Sequence, residues 1–359
     1  MFVFALTQVA SLLAGDLSAA GFGRATLVLA LVWWAWSGYA WMTNAVDLEP
    51  PEARAAFLLA MAASFVLALG VPEAYHRAPW FAVPYLVVSV LQVALYVYGL
   101  RAQRSHQRAI LQLAPYFLVA PVLVLAGAFV DDPWRTALWL LSLVVAVGGT
   151  LTVGDAGFRV SAAHFAERYA LFVIIALGES VVASGVGLGE AHRDARFLLA
   201  VGVAIAFVGA LWWAYFDFTS TALERTLARR PVEERGPHAR DVFTLFHFPI
   251  VLGIIYVAVA GKHTLEHSRD PLELGDRVAL GGGIAIFLIG FCLARYRVVR
   301  RVAWERLVGA PLAVAVCLAG GELSSLALVA ITFAVLAAIL VLEAVRLRDV
   351  RAWAHRTAM

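Results

Sequence analysis

The sequence predicts an all-α integral membrane protein, and three observations carry that prediction. Of its 359 residues 62% are hydrophobic and only 15% are charged, with a mean hydropathy of +0.82; soluble domains are closer to a quarter charged. Apolar runs of the ~20 residues that a helix needs to cross a bilayer recur along the whole chain. The charge between these runs is uneven in the way that topology demands.

Taken in order, the apolar runs lie near residues 26–46, 54–72, 80–100, 109–130, 134–153, 169–187, 196–216, 242–261, 277–295, 303–319 and 324–345. A shorter run from Met1 to Gly15 precedes them, so about twelve transmembrane helices are expected. That first run has no basic leader and is too short to cross upright, which suggests that the true start lies upstream of Met1. With the N-terminus inside, the loops after even-numbered helices and the C-terminal tail hold 20 of the 28 basic residues against 8 in the other loops. Both termini are therefore expected in the cytoplasm. Leu223–Asp241 reads as the longest cytoplasmic loop, and Ala294–Arg301 as a basic anchor.

Internal similarity divides the chain. Met1–Ser11 lies on Phe172–Val182, pairing Ala5 with Ala176, Leu6 with Leu177 and Gln8 with Glu179. Ala30–Trp36 ("ALVWWAW") lies on Gly209–Tyr215 ("GALWWAY"), and Val119–Gly127 lies on Gly309–Gly320 with Pro121 opposite Pro311. The order of helices is kept, so two parallel six-helix repeats are expected, one over 1–156 and one over 157–359, with a site between them.

The residue that most needs explaining is Glu179, in "ERYALFVIIALGESVVASG". It lies ten residues beyond Tyr169, roughly 15 Å into a helix and near the bilayer midplane. A charge there costs about 2.5 to 3.5 kcal/mol on insertion scales. Two readings stand open: a carboxylate that couples to a proton or cation, or a protonated glutamic acid tied to another helix. Gly178 would let a neighbouring backbone approach, Ser180 adds a hydroxyl, and Gln8 is the repeat's counterpart. His247, beside Pro249 and its missing backbone donor, and Asp217, in "LWWAYFD", are the other candidate site residues. His164, Glu167 and Arg168 can share a helical face at the cytoplasmic entrance and form a gate, or anchor the helix end. Trp33, Trp34, Trp36, Tyr39 and Trp41 read as an interfacial aromatic belt by default, with cavity lining as the alternative.

The remaining candidates narrow the class. "HTLEH" (His263–His267) has the form of an inverzincin motif but sits in a short loop without a third ligand, so no metal site is expected. Cys292 and Cys317 lie in apolar runs and read as packing residues. There is no nucleotide, flavin or nucleophile-elbow signature, so neither a cofactor nor a recognisable catalytic centre is expected. A net charge of +3 gives no nucleic-acid footprint. The expected partners are the lipid bilayer and a small solute or ion of unknown identity; nothing marks an oligomeric state.

The segment "HFAERYALFVIIALGESVVASG" strongly resembles the bacterial low temperature requirement A family of multi-pass membrane proteins. Supporting likeness runs through "FVFALTQV", "WWAWSGYAWMTN", "VPEAY", "LWWAYFD" and "HFPIVLGIIYVAVAG". Family members usually carry an acidic, aromatic segment before F-V-F-A-L, which this sequence lacks. The resemblance implies that Glu167, Arg168, Gly178, Glu179 and Ser180 are motif positions, without giving them roles. A secondary transporter or channel-like permease using Glu179 is the leading expectation. The alternatives are a membrane enzyme acting on lipid with His164 or His247 as acid/base, and a scaffold or sensor without turnover.

Overall fold

A computed structural model describes residues 2–46, 48–101, 104–153, 160–186, 194–217 and 219–348. Among them the fold is helical, and the one β-type contact is an isolated bridge between Pro271 and Ser324. The helices in chain order are α1 (Phe2–Gly15), α2 (Ala19–Ala45), α3 (Pro51–Leu69), α4 (Pro79–Gly99), α5 (Arg104–Gly127), α6 (Trp134–Val153), α7 (Ala162–Val186), α8 (Ala195–Phe216), α9 (Thr219–Arg229), α10 (Val232–Ala239), α11 (His247–Glu266), α12 (Leu274–Val299), α13 (Trp304–Ala319) and α14 (Ser325–Arg346). A π-helical segment, Arg240–Leu245, joins α10 to α11.

Nine helical segments among the described residues are long and apolar enough to cross a membrane, and α1 is a shorter apolar helix. Their outward faces carry Leu58, Leu59 and Phe65 on α3, and Leu198, Leu199 and Ile205 on α8. In water such surfaces would aggregate; against acyl chains they are matched to their solvent. Helix starts follow from local chemistry. Ser18, Asp194 and Ser324 each accept a backbone N–H of the first turn, from Gly21, Phe197 and Ala327 respectively. Pro51 and Pro79 open α3 and α4, where the missing N–H is no loss.

Helices stand at the expected apolar runs, but among the described residues nine segments, not twelve, are long and apolar enough to cross a membrane, and α7 and α13 are not among the nine. The segment read as the longest cytoplasmic loop, Leu223–Asp241, is largely helical, formed by α9, α10 and the start of the π segment. Its polar residues obscured this, because α9 is too short and too charged to look like a span.

The chain divides into two compact units, Met1–Tyr169 with Leu227–Thr244, and Ala170–Thr226 with Leu245–Met359. In the first unit α5 packs on α6, α3 on α4 and α4 on α5, while α1 packs on α2 and α3, and α2 on α4 and α6. Gly149 of α6 makes the α5 contact possible, since a Cβ there would fall 2.6 Å from the Tyr116 ring. In the second unit α11 is the central helix, buried along most of its length and packed on α8, α12 and α14. Backbone meets backbone where α11 crosses α12: a Cβ on Gly253 would fall 2.4 Å from the Gly283 carbonyl oxygen.

Candidate functional site

The first unit holds a partly open cavity of about 60 Å³. Its walls come from the second half of α2, from α4 and α5, from the end of α6 and from the π segment. Trp34, Trp41, Tyr85, Tyr96 and Phe117 give it aromatic walls, and Ser37, Ser89, Gln92, Thr150, Thr244 and Arg240 give it polar points. Such a lining, mainly apolar with a few placed polar groups, is the usual composition of a small-molecule site.

Each wall has a local cause. Pro121 interrupts α5 and withdraws the N–H that the carbonyl of Phe117 would use, leaving an acceptor on a wall residue. Irregular backbone at membrane depth is tolerated where it lines a cavity. Gly38 of α2 has no side chain because the Gln92 amide occupies that space; a Cβ would fall 2.1 Å from Gln92 Nε2. Ser37 Oγ is buried without a hydrogen-bond partner among the described residues.

The π segment closes one side. In π register the carbonyl of Thr244 would be paired with the residue five further on, which is Pro249 and has no N–H. That carbonyl accepts instead from Trp33 Nε1 at 2.8 Å. The Thr244 hydroxyl takes Trp41 Nε1 at 2.9 Å and shares a 2.8 Å bond with the Tyr169 hydroxyl. Around this node Trp33 and Trp36 pack edge-on against Tyr169, and Trp41 against Phe165. The tryptophans read as an interfacial belt are therefore an internal cluster, with Trp34 and Trp41 on the cavity wall. The N–H groups of Trp33 and Trp41 are spent on Thr244 of the π segment.

Arg240 is the one charged residue among the described wall residues, and its charge is neutralised beside it. Nε and Nη2 both donate to Asp241 Oδ1, at 3.0 and 2.7 Å, and Nη1 donates to the Thr150 carbonyl at 3.0 Å.

The second unit holds a buried ionic cluster. Arg306 donates from Nε to Glu343 Oε2 at 2.9 Å and reaches the same oxygen from Nη2 at 2.8 Å. It also donates to the Ala214 carbonyl at 3.2 Å and lies 4.2 Å from the Phe291 ring centroid. Arg295 approaches Glu343 Oε1 at 3.4 Å. A small cavity beside the cluster is lined by Asp217, Thr219, Arg306 and Glu343.

Residues 1–341 match the family described as "Bacterial low temperature requirement A protein (LtrA)". The chain belongs to this family. An uncharacterized protein of Rhizobium meliloti (strain 1021) is 27% identical over 369 residues, covering 98% of this chain and 88% of the relative. No solved structure matches.

The LtrA motif positions are thereby placed. Glu179, on α7 in the second unit, is buried (6% exposed) and held by an interaction. Gly178 is outward-facing with open space where a Cβ would sit, so it gives no close backbone approach. The Ser180 side chain lies outside the described residues. Gln8, on α1 in the first unit, is half-buried. His164 and Glu167 are exposed, whereas Arg168 is half-buried and donates to both the hydroxyl and the carbonyl of Thr43.

His247 and Asp217 have different surroundings. His247 is fully buried, with Nε2 2.9 Å from the Tyr215 hydroxyl. It opens α11 directly after the π segment and is not deep within a helix. Asp217 caps α8 and faces the cavity beside Arg306. In "HTLEH", His263 pairs with Asp276 at 2.6 Å, and the His267 carbonyl accepts from Ser325 Oγ at 2.7 Å. Both cysteines are free thiols.

Sequence reasoning missed Tyr85, Gln92, Arg240, Arg306 and Glu343. Gln92 carried a signal, as a lone amide in the apolar run 80–100.

Proposed function

We propose that this LtrA member is a secondary transporter or channel-like permease of the bacterial inner membrane, and that the cavity of the first unit holds its solute. The cavity carries the reading: buried polar groups facing a void cost about 1 to 3 kcal/mol each when unpaired, which a purely structural bundle would have no reason to retain. In this proposal Glu179 couples solute movement to a proton or cation, twelve helices form two parallel six-helix repeats, and both termini are cytoplasmic. The cavity lies toward the C-terminal ends of α2 and α6, which the distribution of basic residues assigns to the cytoplasmic side. The absence of a nucleotide-binding signature favours ion coupling over a nucleotide-driven pump. The alternative, a lipid-modifying membrane enzyme, has as its candidate acid/base His164, which is exposed, or His247, whose Nε2 lies 2.9 Å from the Tyr215 hydroxyl.

The test is a flux assay in proteoliposomes that contain the full chain and an internal pH dye, challenged with a panel of neutral, anionic and cationic solutes. Solute-dependent proton movement that is lost in Glu179→Gln, a variant that keeps the side-chain shape, is the expected result. Solute uptake without proton movement would leave a permease but remove the coupling role of Glu179. No uptake of any panel member by folded protein would overturn the transport reading.

A further inference from the structure

We infer that the cavity of the first unit selects an uncharged ligand, a small molecule with a planar apolar body and an amide- or hydroxyl-type polar end. This rests on the reading of that cavity as a solute site and adds the chemical class of the solute. Charge decides the class. Among the described wall residues one side chain is ionised, Arg240, and its described donors go to Asp241 and to the Thr150 carbonyl. An anion would have to displace Asp241 from Arg240, and a cation would meet no carboxylate among the described wall residues. Either ion would lose its hydration with no opposite charge to replace it.

The uncharged polar groups point the same way. Tyr85 and Gln92 are more than nine-tenths buried, yet among the described residues neither the Tyr85 hydroxyl nor the Gln92 amide has a hydrogen-bond partner. A phenol and a carboxamide together offer donors and acceptors, which a neutral amide or alcohol satisfies in both directions. Ser37 adds a third buried hydroxyl on the same wall. The rings of Trp34, Trp41, Tyr96 and Phe117 supply faces for a flat apolar body. Gly38 holds the amide in position, since any side chain there would push Gln92 away.

Three probes of one shape separate the possibilities: benzamide, which is neutral with a donor and an acceptor, benzoate, and benzylammonium. Each is titrated by calorimetry into the full chain in lipid nanodiscs. Benzamide is expected to bind at least about tenfold more tightly than either ion, and Tyr85→Phe and Gln92→Leu are each expected to weaken it by about tenfold, as loss of one buried hydrogen bond implies. Gly38→Ala, which displaces the amide without removing it, reports on the same group should Gln92→Leu fail to fold. Equal or tighter binding of benzoate or benzylammonium would overturn the inference, as would benzamide binding that ignores all three substitutions. Binding of none of the probes would overturn it as well and leave a cavity that holds only water. The two readings can fail separately. Benzamide binding without flux of any solute would retain the ligand class and remove transport, whereas flux of a charged solute blocked by Tyr85→Phe would do the reverse.

Discussion

Replacing Glu343 with glutamine should be among the most destabilising single changes in the second unit, and more damaging than replacing its partner Arg306. The Arg306 and Glu343 side chains are 5% and 6% exposed, with 2.8 Å between charged atoms. At an effective dielectric of about 20 their attraction is ~6 kcal/mol, and the desolvation of two ions, several kcal/mol each, offsets most of it. The intact pair is therefore worth little, but a lone buried charge costs ~3 to 5 kcal/mol. The two deletions differ in what remains. Without Arg306, Glu343 still has Arg295 at 3.4 Å. Without Glu343, Arg306 keeps only the Ala214 carbonyl and the Phe291 face, with Arg295 as a like-charged neighbour. We expect ~4 kcal/mol for Glu343→Gln, ~2 to 3 for Arg306→Gln, and a smaller loss than their sum when these two substitutions are combined. Reversible unfolding by dodecyl sulfate in mixed micelles, followed by tryptophan fluorescence, gives the double-mutant cycle. A loss below ~1 kcal/mol for Glu343→Gln, or a coupling within ~0.5 kcal/mol of zero, would refute the buried pair.

Three further outcomes are expected. Thr244→Val removes the oxygen that Trp41 and Tyr169 share, so the folded state should lose ~1 to 3 kcal/mol for each stranded group, while Thr244→Ser should stay near the parent in the same unfolding assay. Gly253→Ala should lower the melting temperature clearly, because its Cβ would fall 2.4 Å from a carbonyl of α12, whereas Gly282→Ala, with open space at that point, should be neutral or slightly stabilising. Asp16, in the turn between α1 and α2, is held below the usual carboxylate range by the Ser18 hydroxyl and then by the Ser18 backbone N–H. A lowered folded-state pKa stabilises above the unfolded value and is lost as pH falls through the folded one. The melting difference between the parent and Asp16→Asn should therefore be constant from pH 7 to about 5 and shrink below pH 4, and a difference that grows on acidification would reverse the sign of this account.

The helices were legible because lipid makes the rule simple. A spanning segment must satisfy its own backbone and present apolar side chains to its solvent, so hydropathy alone located α2 to α8 and α11 to α14 within a few residues. Where that rule did not apply, the reading failed. The segments α9 and α10 are short and rich in arginine and glutamate, and their helicity comes from local pairing, such as Arg230 with Glu234, and from packing. Arg306 was counted as a basic loop residue because it lies two residues into α13, where charge is ordinary in a sequence; its burial depends on Glu343 and Ala214, distant in sequence. Glu179 could be found because a carboxylate contrasts with its neighbours.

The cavity could not be found in that way, and the reason bears on its chemistry. Where an ion site uses an opposite charge, that charge is conspicuous in an apolar chain, as the carboxylate of Glu179 is. The groups that converge from α2, α4 and the π segment are instead a phenol, an amide and hydroxyls, each common enough inside a membrane helix to pass as packing. Only their convergence on one void distinguishes them, and convergence between helices leaves no spacing pattern within any one of them. The single charge among the described wall residues, Arg240, falls in a stretch whose arginines read as topology markers, and its neutralisation by Asp241 one residue away keeps the local net charge unremarkable. On the proposed reading, a site for a neutral molecule is the kind that sequence patterning conceals, while a lone carboxylate such as Glu179 is the kind it displays.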